Sequence, residues 1–385
     1  MALRSGVIGL GILGSQHADF MAAHPQVEVV AVADVRRDQA EAVGASAGAQ
    51  PYTDYTRMLA EQGLDLVVVA TPDPLHREPV IAAIEAGVPN VIQEKPMATT
   101  LRDAEDMLEA ADAAGARIFV NFSNRGSAFD RATYQVLRRG LLGEVVYGDV
   151  HLDDNISVPT QMWGERTREW VSGSSTAQFL LSHVVDLLRW MLAPAEVKDV
   201  YAITQRKVLG YTPDLYDAYL TFDSGARIRV KAEWIKHIDS LVEFSISFSG
   251  SEGSLSYIKR PSFGEVEGWR ANVSDRVTTE ELLSVQQELL GDGINVRALL
   301  HRPSPTAGKL KAGGGDLKRG LEAFTLPQDW WRVARGFVDA ILEDTLTPSS
   351  WTGYGPLPTG IDGLRQTQIV SAIVASAERG EPVAL

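Results

Sequence analysis

Short apolar segments alternate with helical patterns through the first third of the chain. Apolar runs typical of buried strands lie at residues 6–10, 27–33, 65–70, 90–94 and 117–121. Amphipathic patterns that predict helices lie at residues 14–23, 37–47, 55–61, 75–86 and 100–114. Strands that alternate with helices in this way form a parallel sheet with helices on both faces, because each parallel connection needs a crossover. The pattern therefore predicts a doubly wound α/β domain.

The pattern changes after about residue 123. Predicted strands then follow one another closely, at residues 144–152, 197–204, 217–222, 226–234, 241–249 and 254–258. Predicted helices lie at residues 129–139, 175–192, 329–342 and 363–379. Because strands without intervening helices form antiparallel or mixed sheets, we expect a second α/β domain with a large open sheet. The predicted domains are residues 1–123 and 124–385, and clustered proline and glycine predict loops and short helices over 259–325.

The overall composition is that of a soluble globular protein, since 45% of the 385 residues are hydrophobic and 22% are charged. The net charge of −14 argues against nucleic acid or an anionic membrane as a partner, because both attract basic surfaces. The chain has no cysteine, which excludes disulfides, thiolate nucleophiles and cysteine-ligated metals. Glycines interrupt the apolar N-terminal run, which favours a tight turn over a signal peptide. We therefore expect a cytoplasmic protein.

A glycine motif follows the first predicted strand. The sequence from residue 9 to residue 14, GLGILG, matches GxGxxG and opens the first predicted helix. Here the glycines permit a tight turn, backbone approach to a pyrophosphate and close packing of helix on strand. The N-terminus of the helix adds N–H groups and a partial positive charge. The residues predicted to bind a nicotinamide dinucleotide here are Gly9, Gly11, Ile12, Leu13 and Gly14.

Two further positions bear on the cofactor. The second predicted strand ends at Asp34, twenty residues after Gly14, where an acid accepts hydrogen bonds from the adenosine ribose and repels a 2′-phosphate. Arg36 follows closely and would instead attract that phosphate. NAD is therefore the expected cofactor, and NADP is the alternative.

The third predicted strand is followed by Thr71 and Pro72. Residues at the carboxyl end of such a strand face the cofactor crevice, so both are assigned to the nicotinamide side. The alternative is an ordinary turn set by Pro72 and Pro74. His76 begins the next predicted helix and is also assigned to the cofactor site, with a surface or capping role as the alternative.

Several short motifs, taken together, resemble those of the Gfo/Idh/MocA oxidoreductases. The central one is Glu94-Lys95-Pro96, at the end of the fourth predicted strand. The others, in chain order, are residues 70–72 (ATP), 124–125 (NR), 182–186 (SHVVD), 223–226 (DSGA) and 250–253 (GSEG). The likeness runs over most of the chain, and it rests on the order and spacing of the motifs.

This resemblance implies both a fold and an activity. It implies an N-terminal Rossmann domain that binds NAD(P) and a C-terminal α/β domain built on a large open sheet. It implies hydride transfer at a secondary hydroxyl of a sugar, cyclitol or related polyol. It also implies a homodimer or homotetramer that assembles through the C-terminal sheet.

Catalytic roles are assigned to Lys95 and His183. Oxidation of an alcohol by nicotinamide requires an acceptor for the hydroxyl proton. Lys95 is expected to be a buried lysine of depressed pKa that contacts cofactor and substrate, steadied by Glu94, which is also assigned to the cofactor site; a surface lysine is the alternative. An imidazole has its ordinary pKa near neutral pH, so His183 is expected to act as acid and base, with a core role as the alternative.

Position 179 departs from the family pattern. The family's dehydrogenases usually carry Asp four residues before the histidine, where this chain has Phe179. Phenylalanine cannot accept a proton, so either Lys95 and His183 suffice or another side chain supplies the missing group. Asp186, three residues after His183, is expected either to orient the imidazole or to interact with Arg189 along the helix. The departure leaves two alternatives open: glycoside cleavage or epimerisation through a transient keto-sugar, and a non-catalytic nucleotide-binding sensor.

A further set of residues is predicted to contact the substrate. With Lys95 and His183, these are Asn124, Arg125, Asp153, Trp163 and Phe179. Aromatic faces stack on the C–H faces of sugars, with core packing as the alternative for Trp163. Asp153 and its polar neighbours suit sugar hydroxyls. No metal site is predicted, because no histidine lies at ligand spacing from them.

Overall fold

The computed structural model describes residues 2–162, 164–260, 265–300, 319–323 and 329–385. The chain forms two compact units. The first consists of Met1–Ser123, Glu169–Asp186 and Trp331–Ser371, and the second consists of Asn124–Arg168, Leu187–Trp330 and Ala372–Leu385. Two later segments therefore join the N-terminal residues in one unit, and one of these segments carries Phe179 and His183.

Strands and helices are numbered in chain order. The strands are β1 (Leu3–Ile8), β2 (Val27–Ala33), β3 (Gln50–Tyr52), β4 (Leu66–Val69), β5 (Asn90–Glu94), β6 (Arg117–Asn121), β7 (Val145–Asn155), β8 (Val197–Gln205), β9 (Leu215–Phe222), β10 (Arg227–Lys236), β11 (Val242–Gly250), β12 (Gly253–Arg260), β13 (Glu265–Val273), β14 (Arg297–Leu299), β15 (Gly320–Ala323) and β16 (Val383–Ala384). The helices are α1 (Ile12–Ala22), α2 (Arg37–Ala47), α3 (Tyr55–Glu61), α4 (Arg77–Glu85), α5 (Leu101–Ala114), α6 (Ala128–Arg138), α7 (Ser157–Gln161), α8 (Thr167–Ser172), α9 (Ser182–Leu192), α10 (Thr279–Gly291), α11 (Arg332–Glu343) and α12 (Gly360–Arg379). Within the described ranges, none of the helices is both long and apolar enough to cross a lipid bilayer.

Six parallel strands form the sheet of the first unit, in the order β3-β2-β1-β4-β5-β6. The central strands β4 and β5 are buried along their whole length, as expected where helices cover both faces. The predicted doubly wound fold is confirmed. β3 is missing from the predicted strands because it has three residues, one of them Pro51, and pairs only at the sheet edge. The strand order reverses between β1 and β4, which is where such sheets bind ligands.

The segment that begins at residue 331 packs against α1 and β6. Trp331 stacks on Phe20 of α1, with the ring centroids 4.9 Å apart. Phe337 of α11 lies 5.0 Å from the ring of Phe119 in β6, and Thr359 forms an antiparallel bridge with Phe119. These contacts explain why a segment so distant in sequence belongs to the first unit.

Ten strands form the sheet of the second unit, in the order β14-β15-β13-β12-β11-β7-β10-β9-β8-β16. β7 and β10 are parallel, and the other neighbouring pairs are antiparallel. Side chains alternate along the strands, so that in β10 Ile228 and Val230 are buried whereas Arg229 and Lys231 are partly exposed. One face of the sheet is therefore apolar and the other polar. The predicted large mixed sheet is confirmed.

The prediction of loops and short helices over residues 259–325 is wrong in part. Strands β13, β14 and β15 extend the sheet here, and α10 is thirteen residues long. Gly268 lies in the left-handed region near a register shift and interrupts the alternation that would mark β13 as a strand. A capping box between Thr278 and Glu281 sets the start of α10. Residues 301–318, which include the glycine run, lie outside the described residues.

Candidate active site

The glycine motif forms a tight turn with open space beside it. Gly9 has a φ of +83°, and a Cβ there would lie 2.7 Å from the carbonyl oxygen of Ala70. A Cβ on Gly14 would overlap the carbonyl oxygen of Gly9, whereas a Cβ on Gly11 would meet no described atom within 4 Å. Gly9 and Gly14 therefore allow the turn to pack closely, and Gly11 leaves room for a ligand.

The N-terminus of α1 follows this turn directly. The helix begins after Gly11, and among the described residues no side chain caps its first N–H groups. Such N–H groups bind phosphate, and the helix dipole adds a partial positive charge. The arrangement fits the pyrophosphate of a dinucleotide, which the backbone of residues 9–14 would hold.

Apolar side chains are exposed around the same edge of the sheet. Ile12 and Leu13 are about half exposed, Val35 is 85% exposed and Leu75 is 59% exposed. These four residues lie just beyond the carboxyl ends of β1, β2 and β4. Ligand sites combine such apolar surface with a few polar groups. The surface therefore suits the adenine and nicotinamide rings of the cofactor.

Asp34 follows β2, and four hydrogen bonds hold its carboxylate. Oδ2 accepts from the Leu10 N–H at 2.8 Å, and Oδ1 accepts from the Arg36 N–H at 2.9 Å. The Arg36 guanidinium donates to Oδ1 at 3.0 Å and to Oδ2 at 3.3 Å. Burial raises the pKa of Asp34, but these hydrogen bonds and the Arg36 charge outweigh burial, so the pKa lies below its ordinary value. The carboxylate is ionised at neutral pH and pairs with Arg36, which is predicted to attract a 2′-phosphate in the NADP alternative.

His76 connects the segment after β4 to the segment after β5. Its Nε2 lies 2.8 Å from the carbonyl oxygen of Thr71, and its Nδ1 lies 2.8 Å from the carbonyl oxygen of Pro96. The ring is buried, whereas Thr71 is half-buried and Pro72 is exposed. His76 thus fixes the loop next to Lys95. Cofactor contact by Thr71, Pro72 and His76 stays a prediction.

Glu94, the last residue of β5, is buried and bound by two side chains. Its Oε1 accepts from His17 Nε2 at 2.6 Å and from Asn121 Nδ2 at 2.8 Å. Burial raises the pKa of the Glu94 carboxyl, but the hydrogen bond and charge of His17, together with Asn121 and Lys95, outweigh burial and lower the pKa. Glu94 is therefore an ionised, immobilised carboxylate directly before Lys95.

His17 and Asn121, which bind Glu94, are not among the residues predicted from the sequence. His17 lies on the buried side of α1 with Gly14, Ala18 and Met21, three residues beyond the glycine motif. That spacing is the signal that could have revealed it, since a histidine on a buried helix face needs a polar partner. Among the described residues, neither His17 Nδ1 nor Asn121 Oδ1 has a hydrogen-bond partner. Two buried polar atoms thus flank Glu94, as expected beside a site that holds a polar ligand.

Lys95 is buried, with 8% of its surface exposed, and Phe179 holds its ammonium group. The Nζ atom donates to the carbonyl oxygen of Phe179 at 3.2 Å and lies 3.8 Å from the centre of the Phe179 ring. Ser182 Oγ donates to the same carbonyl at 3.0 Å. The predicted surface alternative for Lys95 is wrong, because the lysine is part of a packed site.

The predicted long helix over 175–192 contains a π-helical turn, Ala177–Leu181, before α9. A π turn forms i→i+5 rather than i→i+4 hydrogen bonds, so the backbone at Phe179 departs from a regular α-helix just before His183. Phe179 and His183 are half-buried, and Trp170 packs edge-on against Phe179 with the ring centroids 4.8 Å apart. Phe179 and Lys95 are thus brought together in the first unit, and the catalytic role of His183 stays a prediction.

Asn124 and Arg125, which are predicted to contact the substrate, lie in the second unit. Asn124 Oδ1 accepts from Lys259 Nζ at 3.0 Å, and Lys259 also pairs with Asp130 in the core. Burial lowers the pKa of Lys259 and outweighs the charge of Asp130, which acts to raise it. Arg125 is buried, with its guanidinium 5.9 Å from the ring of Trp190. Asn124 and Arg125 are thus packed within this unit, and their contact with substrate stays a prediction.

Asp153 is buried on the polar face of the sheet. Its Oδ2 lies 2.7 Å from Lys236 Nζ and 3.2 Å from Lys231 Nζ. Burial raises the pKa of Asp153 more than the two lysines lower it. The carboxylate forms an ion-pair network, and its role in substrate binding stays a prediction. Trp163 lies outside the described residues.

Two family models match the chain. Residues 3–122 match the N-terminal model of the GFO/IDH/MocA oxidoreductase family, described as an NAD-binding Rossmann fold. Residues 131–256 match the GFO/IDH/MocA C-terminal domain. The two matches cover the sheet of the first unit and much of the sheet of the second.

Curated relatives and solved structures agree with these models. Inositol 2-dehydrogenase 3 of Saccharopolyspora erythraea is 32% identical over 60% of this chain and 66% of its own length. Inositol 2-dehydrogenase of Pseudomonas savastanoi pv. phaseolicola is 31% identical over 60% of this chain and 67% of its own length. With other relatives the match spans only about three fifths of their length.

The WlbA dehydrogenase of Bordetella pertussis, solved with NADH and UDP-GlcNAcA, shares the fold over the whole chain. Its TM-score is 0.77 at 23% identity, with 100% of this chain and 98% of that chain covered. The matches to both domains, the inositol dehydrogenase relatives and the glycine turn agree. The chain belongs to the Gfo/Idh/MocA oxidoreductase family, and its first unit is an NAD-binding Rossmann domain.

Proposed function

We propose that this protein is an NAD-dependent dehydrogenase that oxidises a secondary hydroxyl of a sugar, a cyclitol or a related derivative. The observation that carries the proposal is the position of Lys95 directly after β5, in the same unit as the glycine turn and Asp34. In doubly wound sheets, ligands bind beyond the carboxyl ends of the strands. A buried, hydrogen-bonded lysine at that edge suits a group that contacts the reacting atoms.

The chain's own residues then have three tasks. Bound NAD supplies the acceptor for the hydride that leaves the carbinol carbon. Lys95 donates a hydrogen bond to the reacting oxygen as its bond to carbon becomes a carbonyl. His183 takes the proton as the O–H bond breaks and releases it to solvent. Glu94, fixed by His17 and Asn121, positions the backbone from which Lys95 extends.

The substrate class rests on the relatives named as inositol 2-dehydrogenases. Ring polyols present several secondary hydroxyls in fixed orientations, which favours a rigid site. The proposal includes a cytoplasmic location, because a chain without cysteine has no need of an oxidising compartment. Cell fractionation tests this location.

A homodimer or homotetramer formed through the second unit's sheet is also part of the proposal. Tyr201 and Ile203 of β8 and Tyr219 of β9 are exposed on the polar face, and Tyr201 lies opposite Tyr219. Exposed aromatic side chains on a sheet face are typical of protein interfaces. Sedimentation should give an oligomer for the wild type and a smaller species for Tyr219→Glu. A monomeric wild type at micromolar concentration would contradict this part of the proposal.

A screen of sugars and cyclitols with NAD and NADP, following reduced nicotinamide by its absorbance, tests the activity. The matched variants are Lys95→Met, which removes the ammonium, and Lys207→Met, at an exposed lysine of the second unit. Lys95→Met should lose turnover and retain NADH binding, and Lys207→Met should behave like the wild type. Equal activity of Lys95→Met and wild type would exclude the proposed role.

The screen also separates the alternatives. Conversion of a glycoside without net reduction of NAD would indicate a redox-neutral reaction through a keto-sugar. NAD binding without turnover of any compound would favour a sensor. Either outcome would replace the proposed dehydrogenase activity.

A further inference from the structure

Two aromatic side chains, Phe179 and Trp170, lie beside Lys95 in the candidate site. Phe179 contacts the Lys95 ammonium through both its carbonyl and its ring, and Trp170 packs edge-on against that ring. Both aromatic side chains are half-buried, so part of each remains accessible. The three residues lie in the first unit.

The distance from Lys95 to the ring brings the substrate within reach of Phe179. The ring centre is 3.8 Å from Nζ. An oxygen that accepts a hydrogen bond from Nζ at about 2.9 Å therefore lies within about 7 Å of the ring centre. The carbon of the sugar or cyclitol ring next to the reacting carbinol, together with its substituent, can therefore contact the Phe179 ring. The Phe179 side chain can therefore affect binding according to the substituent on that neighbouring carbon.

A phenyl ring favours contact with apolar groups of a substrate and disfavours contact with hydroxyl groups. It offers no hydrogen bond to a hydroxyl, so a hydroxyl pressed against it loses its water without a replacement partner. A C–H bond, a methylene or a methyl group packs well on the same face. Trp170 extends the apolar surface, and its indole ring provides no hydrogen-bond acceptor for such a hydroxyl. An apolar site of this kind disfavours an added hydroxyl by up to about 100-fold.

We propose that Phe179 selects substrates whose carbon next to the oxidised carbinol presents an apolar face towards the phenyl ring, as a deoxy position does. The inference rests on the proposed dehydrogenase function and narrows its substrate class. Phe179 is then a specificity residue, and its backbone carbonyl keeps Lys95 in place whichever side chain stands at 179.

The test compares parent polyols with their monodeoxy analogues. kcat/KM is measured for glucose, myo-inositol and the set of monodeoxy forms of each, with wild type, Phe179→Leu and Phe179→Asp. The wild type should prefer at least one deoxy analogue over its parent by about tenfold or more. Phe179→Leu keeps an apolar side chain and should keep that preference. Phe179→Asp introduces an acceptor beside Lys95 and should reverse it.

A binding measurement adds a readout independent of turnover. Calorimetric titration of the preferred analogue and its parent into each protein saturated with NADH should show the same order of affinities. Melting temperatures and NADH affinity establish that the variants are folded. If the wild type turns over the parents better than every deoxy form, or if Phe179→Asp keeps the wild-type order, the inference is overturned while the dehydrogenase function stands. If no compound is turned over, the dehydrogenase function itself fails.

Discussion

The imidazole of His17 and the carboxylate of Glu94 lie 2.6 Å apart in the core of the first unit. His17 belongs to α1, which begins at the glycine turn, and Glu94 ends β5 directly before Lys95. One hydrogen bond therefore connects the helix that would receive the pyrophosphate to the residue before the proposed catalytic lysine.

Replacing His17 should weaken both the fold and the reaction. His17→Leu removes one donor and leaves the buried Glu94 carboxylate hydrogen-bonded to Asn121, which should cost about 3 kcal/mol of unfolding free energy. His17→Gln keeps an N–H donor and should recover much of the loss. Urea unfolding measures the stabilities, and kcat should fall more than KM rises. Identical unfolding curves for wild type and His17→Leu would show that the pair contributes nothing.

The lowered pKa of Glu94 predicts how stability depends on pH. The folded protein holds the carboxylate more strongly than the unfolded chain, whose glutamate has a pKa of about 4.3. The stabilisation is complete above that value and is lost as the pH falls through the lower folded pKa. Glu94→Gln removes this titration, so its deficit relative to wild type should shrink on acidification below about pH 4. Unfolding curves at several pH values measure the deficit, and a constant deficit would contradict the assignment.

The regular elements of the first unit could be predicted because local patterns determine them. β2, β5 and β6 are short, have apolar central residues and are bounded by turn residues, and their observed bounds are the predicted ones. The glycine spacing likewise marks the turn before α1. Such features depend on neighbouring residues and on simple periodicity.

Long-range contacts account for what the sequence does not reveal. The pairing of His17 with Glu94 joins residues 77 positions apart, and Trp331 reaches Phe20 from the far end of the chain. The π turn at Phe179 has no pattern distinguishable from an α-helix. The motif at Asn124 does not reveal that its side-chain oxygen accepts a hydrogen bond from the buried Lys259. These relationships depend on tertiary packing, which periodicity does not encode.

Alanine substitutions at two glycines of the turn should have different effects, one on stability and the other on NADH binding. An alanine methyl at Gly14 would overlap the Gly9 carbonyl, so Gly14→Ala should lower the unfolding free energy by about 2 kcal/mol or more. Gly11→Ala places its methyl in open space at a φ of −68°, so its stability should match the wild type. The methyl would occupy the space assigned to the pyrophosphate, and the Kd for NADH should rise about tenfold or more. Calorimetry and thermal unfolding measure both effects, and unchanged NADH affinity in Gly11→Ala would contradict the proposed phosphate position.

Cofactor preference should depend on the pairing of Asp34 with Arg36. The carboxylate repels a 2′-phosphate, and it also neutralises the guanidinium that would bind one. Asp34→Ser keeps a short acceptor for the Leu10 N–H while removing the negative charge and releasing Arg36. The ratio of NADPH to NADH affinity should then rise on the order of 100-fold, since a charge-assisted pair replaces a repulsion. The double variant Asp34→Ser/Arg36→Ser is the matched control and should lose most of the gain. If both variants bind NADPH equally well, Arg36 has no part in the switch, and if the single variant keeps the wild-type ratio, Asp34 does not face the ribose.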